Sequence, residues 1–255
     1  MMIEHIQHGP IHEIRLARPP VNALNPELLD ALRGAVEAAP GNGARAIILS
    51  GGPSVFSGGL DVPYLMGLDA TALKAAWRGF FDAATAIARC QVPMVAAIGG
   101  HAPAGGCVLA LCCDYRVMAR SPDPEKPFRI GLNEVQVGLA VPECIQHLMR
   151  RVVGVYRSER LLVVGAMPTA EQALKIGLVD EVVELDQTVP QAIAWLQQLL
   201  ALPSAPMLAT RAQARADIID ALTDPRQLNL DRFLDAWNAP DTQNALQALL
   251  ARLKK

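Results

Sequence analysis

Read along the chain, apolar residues first alternate in short runs and later recur every three or four positions. Residues 3–9 and 12–16 read as two short strands around a Gly-Pro turn. The stretch ARPPVNALN, residues 17–25, is rigid and extended, because each proline restricts itself and its predecessor. Asn25 then caps a helix with Pro26 at its first position and Leu28, Leu29, Leu32 and Val36 on its inner face. Residues 46–49 read as a buried strand, followed by the Gly-rich loop SGGPSVFSGGLD at 50–61. Leu73, Trp77, Phe80, Phe81, Ala84 and Ile87 recur at helical spacing, and that helix ends before Pro93.

The apolar run Met94–Ile98 feeds the stretch GGHAPAGGCVLALCCD at 99–114, a strand, a Gly-rich turn and a helix. Residues 115–118 read as a strand, and 121–128, with three prolines and several charges, as an exposed loop. IGLNEVQVGLAVP at 130–142 is mostly apolar with one acid, Glu134, and from Pro142 the pattern is helical. Thr169 opens a capping box, a helix, a Gly stop and a short strand. From Val189 the chain is almost all helix, with Leu246, Leu249, Leu250 and Leu253 as the stripe of the last one. Strand–helix alternation followed by helices alone predicts an α/β core over 1–189 and a helical region over 190–255. No internal repeat or low-complexity tract is visible.

Composition narrows the picture by exclusion. A chain of 255 residues buries a large core in one or two domains. The net charge is −2 with no dominant basic patch, which argues against a nucleic-acid partner. No apolar run approaches the roughly 20 residues of a membrane span. The N-terminal residues form neither a signal core nor an Arg- and Ser-rich transit segment, so a cytoplasmic chain that starts at residue 1 is the expectation. Cys90, Cys107, Cys112, Cys113 and Cys144 are odd in number, form no C-x-x-C pair and lie mostly in or near apolar runs. They read as reduced core residues rather than zinc ligands or staples, and no metal site is expected.

The chemistry must come from what remains. The Gly clusters spell neither G-x-G-x-x-G nor a P-loop, and Ser54 and Ser57 lack a G-x-S-x-G frame. Gly105 and Gly106 fall where a helix begins, where unpaired N–H groups and the helix dipole favour negative charge. Glycines let another molecule approach those groups. A tight packing turn explains the same residues equally well. Glu134 lies between Leu132, Val135, Val137 and Leu139; burial would raise its pKa toward that of a general base, whereas spacing alone favours an exposed bend. Two sets of N–H groups on one carbonyl oxygen, plus one carboxylate, make a site for proton abstraction α to a carbonyl.

FSGGLD at 56–61, PAGGC at 103–107 with Asp114 beyond it, GLNE at 131–134 and the segment ALKIGLVDEVV resemble the crotonase, or enoyl-CoA hydratase/isomerase, superfamily. The resemblance runs from about residue 3 to the C-terminus. Within it, VFSGGLD, APAGGC…ALCCDYRVMA and IGLNEVQVG are most similar to the mitochondrial-type delta3-delta2-enoyl-CoA isomerases. It implies a crotonase-like ββα spiral core with a C-terminal helical trimerisation region, hence a homotrimer or dimer of trimers. It implies an acyl-CoA substrate, with coenzyme A part of the substrate and no further cofactor, and a place in fatty acid beta-oxidation. By position, the N–H groups of Leu60 and Gly105 would form the oxyanion hole and Glu134 would be the catalytic acid. Ser57, Gly58, Gly59, Leu60, Asp61 and Asn133 would line the acyl-thioester site, and Ala23 and Leu24 would meet the adenine end of CoA. Which Lys or Arg would meet the CoA phosphates stays open; Arg18, just before the turn that would meet CoA, is one candidate. The hydratases' second acid falls here on Val108, their Pro-Gly-rich segment is replaced by LAVPEC, and the 121–128 loop is longer than in the isomerases. A hydratase, another crotonase acting on an unusual acyl-CoA, and a non-catalytic acyl-CoA-binding protein are the alternatives.

Overall fold

A computed structural model describes residues 2–253; Met1, Lys254, Lys255 and the side chain of Leu253 lie outside the described residues. The elements are β1 (Ile3–His8), β2 (Ile11–Leu16), α1 (Pro26–Ala38), β3 (Ala46–Ser50), β4 (Ser54–Val55), α2 (Val62–Leu65) and α3 (Ala70–Arg89). Then come β5 (Met94–Ile98), β6 (Gly100–Pro103), α4 (Gly105–Leu111), β7 (Tyr115–Ala119), β8 (Ile130–Gly131) and a 3-10 turn, Glu134–Val137. They are followed by α5 (Glu143–Val153), α6 (Val155–Val164), α7 (Ala170–Ile176), β9 (Glu181–Val183), α8 (Thr188–Leu200), α9 (Ser204–Ala214), α10 (Ala216–Thr223), α11 (Leu230–Trp237) and α12 (Pro240–Leu253).

Local chemistry sets several of these boundaries. Asn25 Oδ1 accepts the Leu28 N–H at 3.0 Å with Pro26 in the first turn, and the four predicted apolar residues of α1 are buried. Thr169 and Gln172 form the reciprocal capping box of α7, which Gly177 stops in the left-handed conformation.

β1 to β9 build two sheets. The larger has the order β1-β2-β3-β5-β7-β9, antiparallel between β1 and β2 and parallel elsewhere. The smaller, β4-β6-β8, is parallel throughout. From β3 onward the chain repeats one course: a strand in the large sheet, a strand in the small sheet, then helix. This is the ββα spiral that the resemblance implies. Strands β3 and β5 are buried along their whole length, as a parallel sheet covered on both faces requires. Ile47, Leu49, Met94, Ala96 and Ile98 face the main core with α1, α3 and α4. Ile48, Val95, Ala97 and Val117 face the other way, against Ala192 and Leu196 of α8.

The strands of the small sheet are two to four residues long; β4 and β6 lie inside stretches that sequence alone reads as a loop and a turn, and β8 opens the mostly apolar segment 130–142. They are held by pairing with one another, which leaves no hydrophobic period to read. The C-terminal helices cover the chain's own core: Leu230, Trp237 and Leu246 are buried and Phe233 packs on Trp77 with ring centroids 4.2 Å apart. Among the described residues no single helix is long and apolar enough to cross a membrane. All five cysteines are unpaired and buried, and burial pushes their thiols above the usual range.

Candidate active site

The loop 57–61 runs beside residues 21–24. Gly58 N–H donates to the Val21 carbonyl at 2.8 Å, Leu24 N–H to the Gly59 carbonyl at 2.8 Å, and Asp61 N–H to the Leu24 carbonyl at 3.1 Å. Leu60 and Leu24 thereby form a single parallel bridge. Opposite, Ala104 holds φ at +45°, in backbone space that L-residues avoid, and α4 starts directly after it.

These two segments bring Leu60 and Gly105 together. A Cβ added to Gly59 would lie 3.5 Å from the Gly105 nitrogen, and one added to Gly105 would lie 3.5 Å from the Leu60 nitrogen. Neither N–H has an acceptor among the described residues. Glycine at 105 therefore leaves open the space between two unused donors. Gly106 has a different duty: its Cβ would meet the Ser57 carbonyl at 2.8 Å, so it allows α4 to pack on the loop.

Glu134 enters from the 3-10 turn after β8. Leu139 N–H donates to the Glu134 carbonyl at 3.0 Å, and Gly138 takes the left-handed conformation that closes the turn. The turn is clamped from both sides. Thr242 Oγ1 of α12 donates to the Gly138 carbonyl at 2.6 Å, and Gln136 Nε2 to the Gly165 carbonyl at 2.9 Å. Glu134 Oε2 is buried without a hydrogen-bond partner. That loss of solvation pushes its carboxyl up to about 7, with a backbone hydrogen bond opposing the shift. A carboxyl of this kind exchanges protons near neutral pH; the bend is exposed at Val135, Gln136 and Gly138, as spacing predicts, while Oε2 of the half-buried Glu134 is turned away from water. Asn133 sits at the turn's N-cap yet makes no capping bond, and its Oδ1 is also buried without a partner.

A cavity of about 300 Å³ joins these groups. Ala23, Gly58, Leu60, Asp61, Gly105, Asn133 and Glu134 line it. Leu24, Ser57 and Gly59 stand behind its wall: Ser57 is fully buried, with Oγ donating to the Asn22 carbonyl at 2.8 Å. The rest of the lining is apolar and aromatic, including Trp77 and Phe80 of α3, Phe233 and Trp237 of α11 and Leu249 of α12. Sequence reading placed the C-terminal residues in a contact between copies or on the core. Only their helical stripe was visible, not the cavity they roof.

Among the lining residues the carboxylates are Asp61 and Glu134. Asp61 is paired with Arg18 at 2.7 Å, and Arg18 also donates to the Ala23 carbonyl at 2.9 Å. Glu134 is therefore the lining carboxylate that no ion pair holds. Val108 is buried within α4 and does not reach the cavity. Among the described residues no group of three His, Cys, Asp or Glu side chains is placed to hold a metal ion. A larger open groove of about 1010 Å³ lies along α6, lined by Val155, Tyr156, Val163 and Val164, and contains neither Glu134 nor the two free N–H groups.

A family model described as enoyl-CoA hydratase/isomerase matches residues 7–255. The chain is 32% identical to the mouse (Mus musculus) mitochondrial enoyl-CoA delta isomerase 1 over 244 residues, 95% of this chain and 83% of the relative. It is 33% identical over 227 residues to a probable enoyl-CoA hydratase, echA17, of Mycolicibacterium paratuberculosis, covering 88% of this chain and 85% of the relative. The crystal structure of human mitochondrial delta3-delta2-enoyl-CoA isomerase superposes with a TM-score of 0.92 at 29% identity, covering 100% of this chain and 98% of that one. The chain belongs to the enoyl-CoA hydratase/isomerase family.

Proposed function

We infer that the protein is a delta3-delta2-enoyl-CoA isomerase. Glu134 removes a proton from C2 of a 3-enoyl-CoA, the thioester oxygen gathers negative charge between the N–H groups of Leu60 and Gly105, and the same carboxyl returns the proton to C4. The product is the conjugated 2-enoyl-CoA. One movable carboxyl suffices because the reaction neither adds water nor changes oxidation state, and coenzyme A enters as part of the substrate. The observation that carries the reading is the buried Oε2 of Glu134, without a hydrogen-bond partner, in the same cavity as two free backbone donors. Fatty acid beta-oxidation is the pathway this reaction would serve, in the cytoplasm if the five reduced cysteines mark the compartment.

A hydratase needs a second group to handle the added water. Asp61 is engaged by Arg18 and Val108 is apolar, which favours the isomerase. A spectrophotometric assay separates the two. The isomerase reading expects conjugated product from 3-enoyl-CoA and little hydration of 2-enoyl-CoA; strong hydration without a double-bond shift contradicts it. Binding without turnover of any 3-enoyl-CoA would instead favour a non-catalytic acyl-CoA-binding protein.

The pH dependence follows from the base. Glu134 must be ionised to accept the C2 proton, so kcat/KM should rise with pH through about 7 and level off above it. A profile flat between pH 5.5 and 8.5, as assayed on one 3-enoyl-CoA, would remove Glu134 from that role.

Assembly as a homotrimer or dimer of trimers completes the proposal. The resemblance puts the contact in the C-terminal helices, 190–255, where Leu202 is exposed; the larger apolar face exposed by a single chain, Val155, Tyr156, Val163 and Val164 of α6, lies outside that region and is the contact face favoured here. Light scattering at micromolar concentration should give a multiple of three chain masses; a monomer mass contradicts it.

A further inference from the structure

Around the oxyanion hole, the hydrogen bonds single out Leu60. Its neighbours' N–H groups are all used: Gly58 on Val21, Gly59 on Ser57 Oγ at 3.2 Å, and Asp61 on Leu24. A second set of bonds straps this loop to residues 18–22. Asn22 Nδ2 donates to the Phe56 carbonyl at 3.1 Å, and the Arg18 N–H donates to Asn22 Oδ1 at 2.8 Å. Asn22 is buried and holds φ at +50°, so this strap is maintained against a backbone cost. The Arg18 guanidinium closes it by bonding the Ala23 carbonyl and Asp61 Oδ2 together.

Asp61 follows Leu60 directly and faces the same cavity. Its side chain is 11% exposed, so water screens its charge poorly. A bare carboxylate there would repel the negative charge that develops on the thioester oxygen. Its other oxygen is occupied by the Tyr64 N–H at 3.1 Å, a bond that does not cancel the charge. The Arg18 guanidinium does cancel it, and it joins the two segments that flank Leu60.

We propose that Arg18 is a positioning residue of this reaction: through Asp61 and the Ala23 carbonyl it aims the Leu60 N–H and neutralises the carboxylate beside the oxyanion. The proposal rests on the isomerase reading above. It differs from a role for Arg18 on the substrate's phosphates, which would act on binding rather than on the chemical step.

The test compares wild type with Arg18→Gln, Arg18→Lys, Asp61→Asn and the double variant Arg18→Gln/Asp61→Asn. Each is assayed on one 3-enoyl-CoA, and the carbonyl stretch of a bound 2-enoyl-CoA is read by difference infrared spectroscopy. Arg18→Gln should lose at least about tenfold in kcat, less than the hundredfold or more of a deleted oxyanion donor, with KM nearly unchanged and a smaller carbonyl shift. Arg18→Lys should fall between, since lysine keeps the charge but not the two-pronged geometry. Asp61→Asn keeps an acceptor for Tyr64 and should stay closer to wild type than Arg18→Gln. The double variant carries no bare carboxylate but also lacks the Arg18 strap, so it should recover only the part of the lost kcat and carbonyl shift that neutralisation supplies and should stay below Asp61→Asn. A raised KM with intact kcat in Arg18→Gln would overturn the proposal. So would a folded double variant no better than Arg18→Gln alone. A wild type that isomerises no 3-enoyl-CoA would contradict the isomerase reading instead, and the carbonyl shifts would still decide the role of Arg18.

Discussion

Replacing Glu134 by glutamine should reduce kcat by at least about 10⁴-fold and leave acyl-CoA binding within a few-fold of wild type. The magnitude follows from one carboxyl serving both proton transfers: removal from C2 and delivery to C4. Among the residues lining the cavity, the other carboxylate, Asp61, is tied to Arg18, so no substitute base stands by. The amide is nearly isosteric with the carboxyl, so the cavity keeps its shape and the two backbone donors keep their places. The same change should alter stability with a definite sign. Glu134 titrates near 7 in the folded chain and near its ordinary 4.5 when unfolded, so its contribution to stability is full below about 4.5 and is lost as pH rises through 7. At pH 8 the glutamine variant should therefore unfold no more easily than wild type. Steady-state assays, isothermal binding of the 2-enoyl-CoA product and denaturant titration at pH 5.5 and 8 check the three parts.

The largest stability loss is expected from Asp114→Ala. Asp114 follows α4 and accepts a two-pronged pair of bonds from Arg211, Nε to Oδ1 and Nη2 to Oδ2, both 2.8 Å. Arg215 adds a contact at 3.1 Å, and the Met94 N–H donates to Oδ2 at 2.7 Å. All three charged side chains are nearly buried. Removing the carboxylate would strand two guanidiniums and one strand N–H away from water, a loss of roughly 3–5 kcal/mol. For a chain of this size that corresponds to a melting temperature lower by roughly 10 °C or more. Breaking the exposed Arg120–Glu184 pair should change little by comparison. Thermal unfolding of the two variants side by side measures the contrast.

The elements that were legible in the sequence are those whose cause is local. Asn25 and Pro26 announce α1 within two residues, Thr169 and Gln172 announce α7 within four, and the apolar spacing of α3 follows its burial. Glu134 and Gly105 stand out as unusual residues for their settings, an acid among apolar neighbours and a glycine at a helix start, yet spacing alone favours an exposed bend for the first and leaves a packing turn equally open for the second; their site roles come from the family resemblance. What escaped depends on partners far apart in the chain. Arg18 meets Asp61 from 43 positions away, and Arg211 meets Asp114 from 97. No window of periodicity contains both members of such pairs. The resemblance puts Ser57 in the site with the rest of its motif, whereas its hydroxyl serves the strap behind the cavity wall. Phe233 and Trp237 show their helical stripe but not the cavity they close.

The central claim is that one carboxyl carries a proton from C2 to C4. It is tested most directly by incubating the protein with a 3-enoyl-CoA in D2O and following the product by proton NMR before equilibrium. The account predicts conjugated 2-enoyl-CoA in which part of the C4 hydrogen is the proton removed from C2, because the buried Glu134 Oε2 is shielded from water between the two steps. A 3-hydroxyacyl-CoA product, or substrate returned unchanged at every chain length, would contradict it.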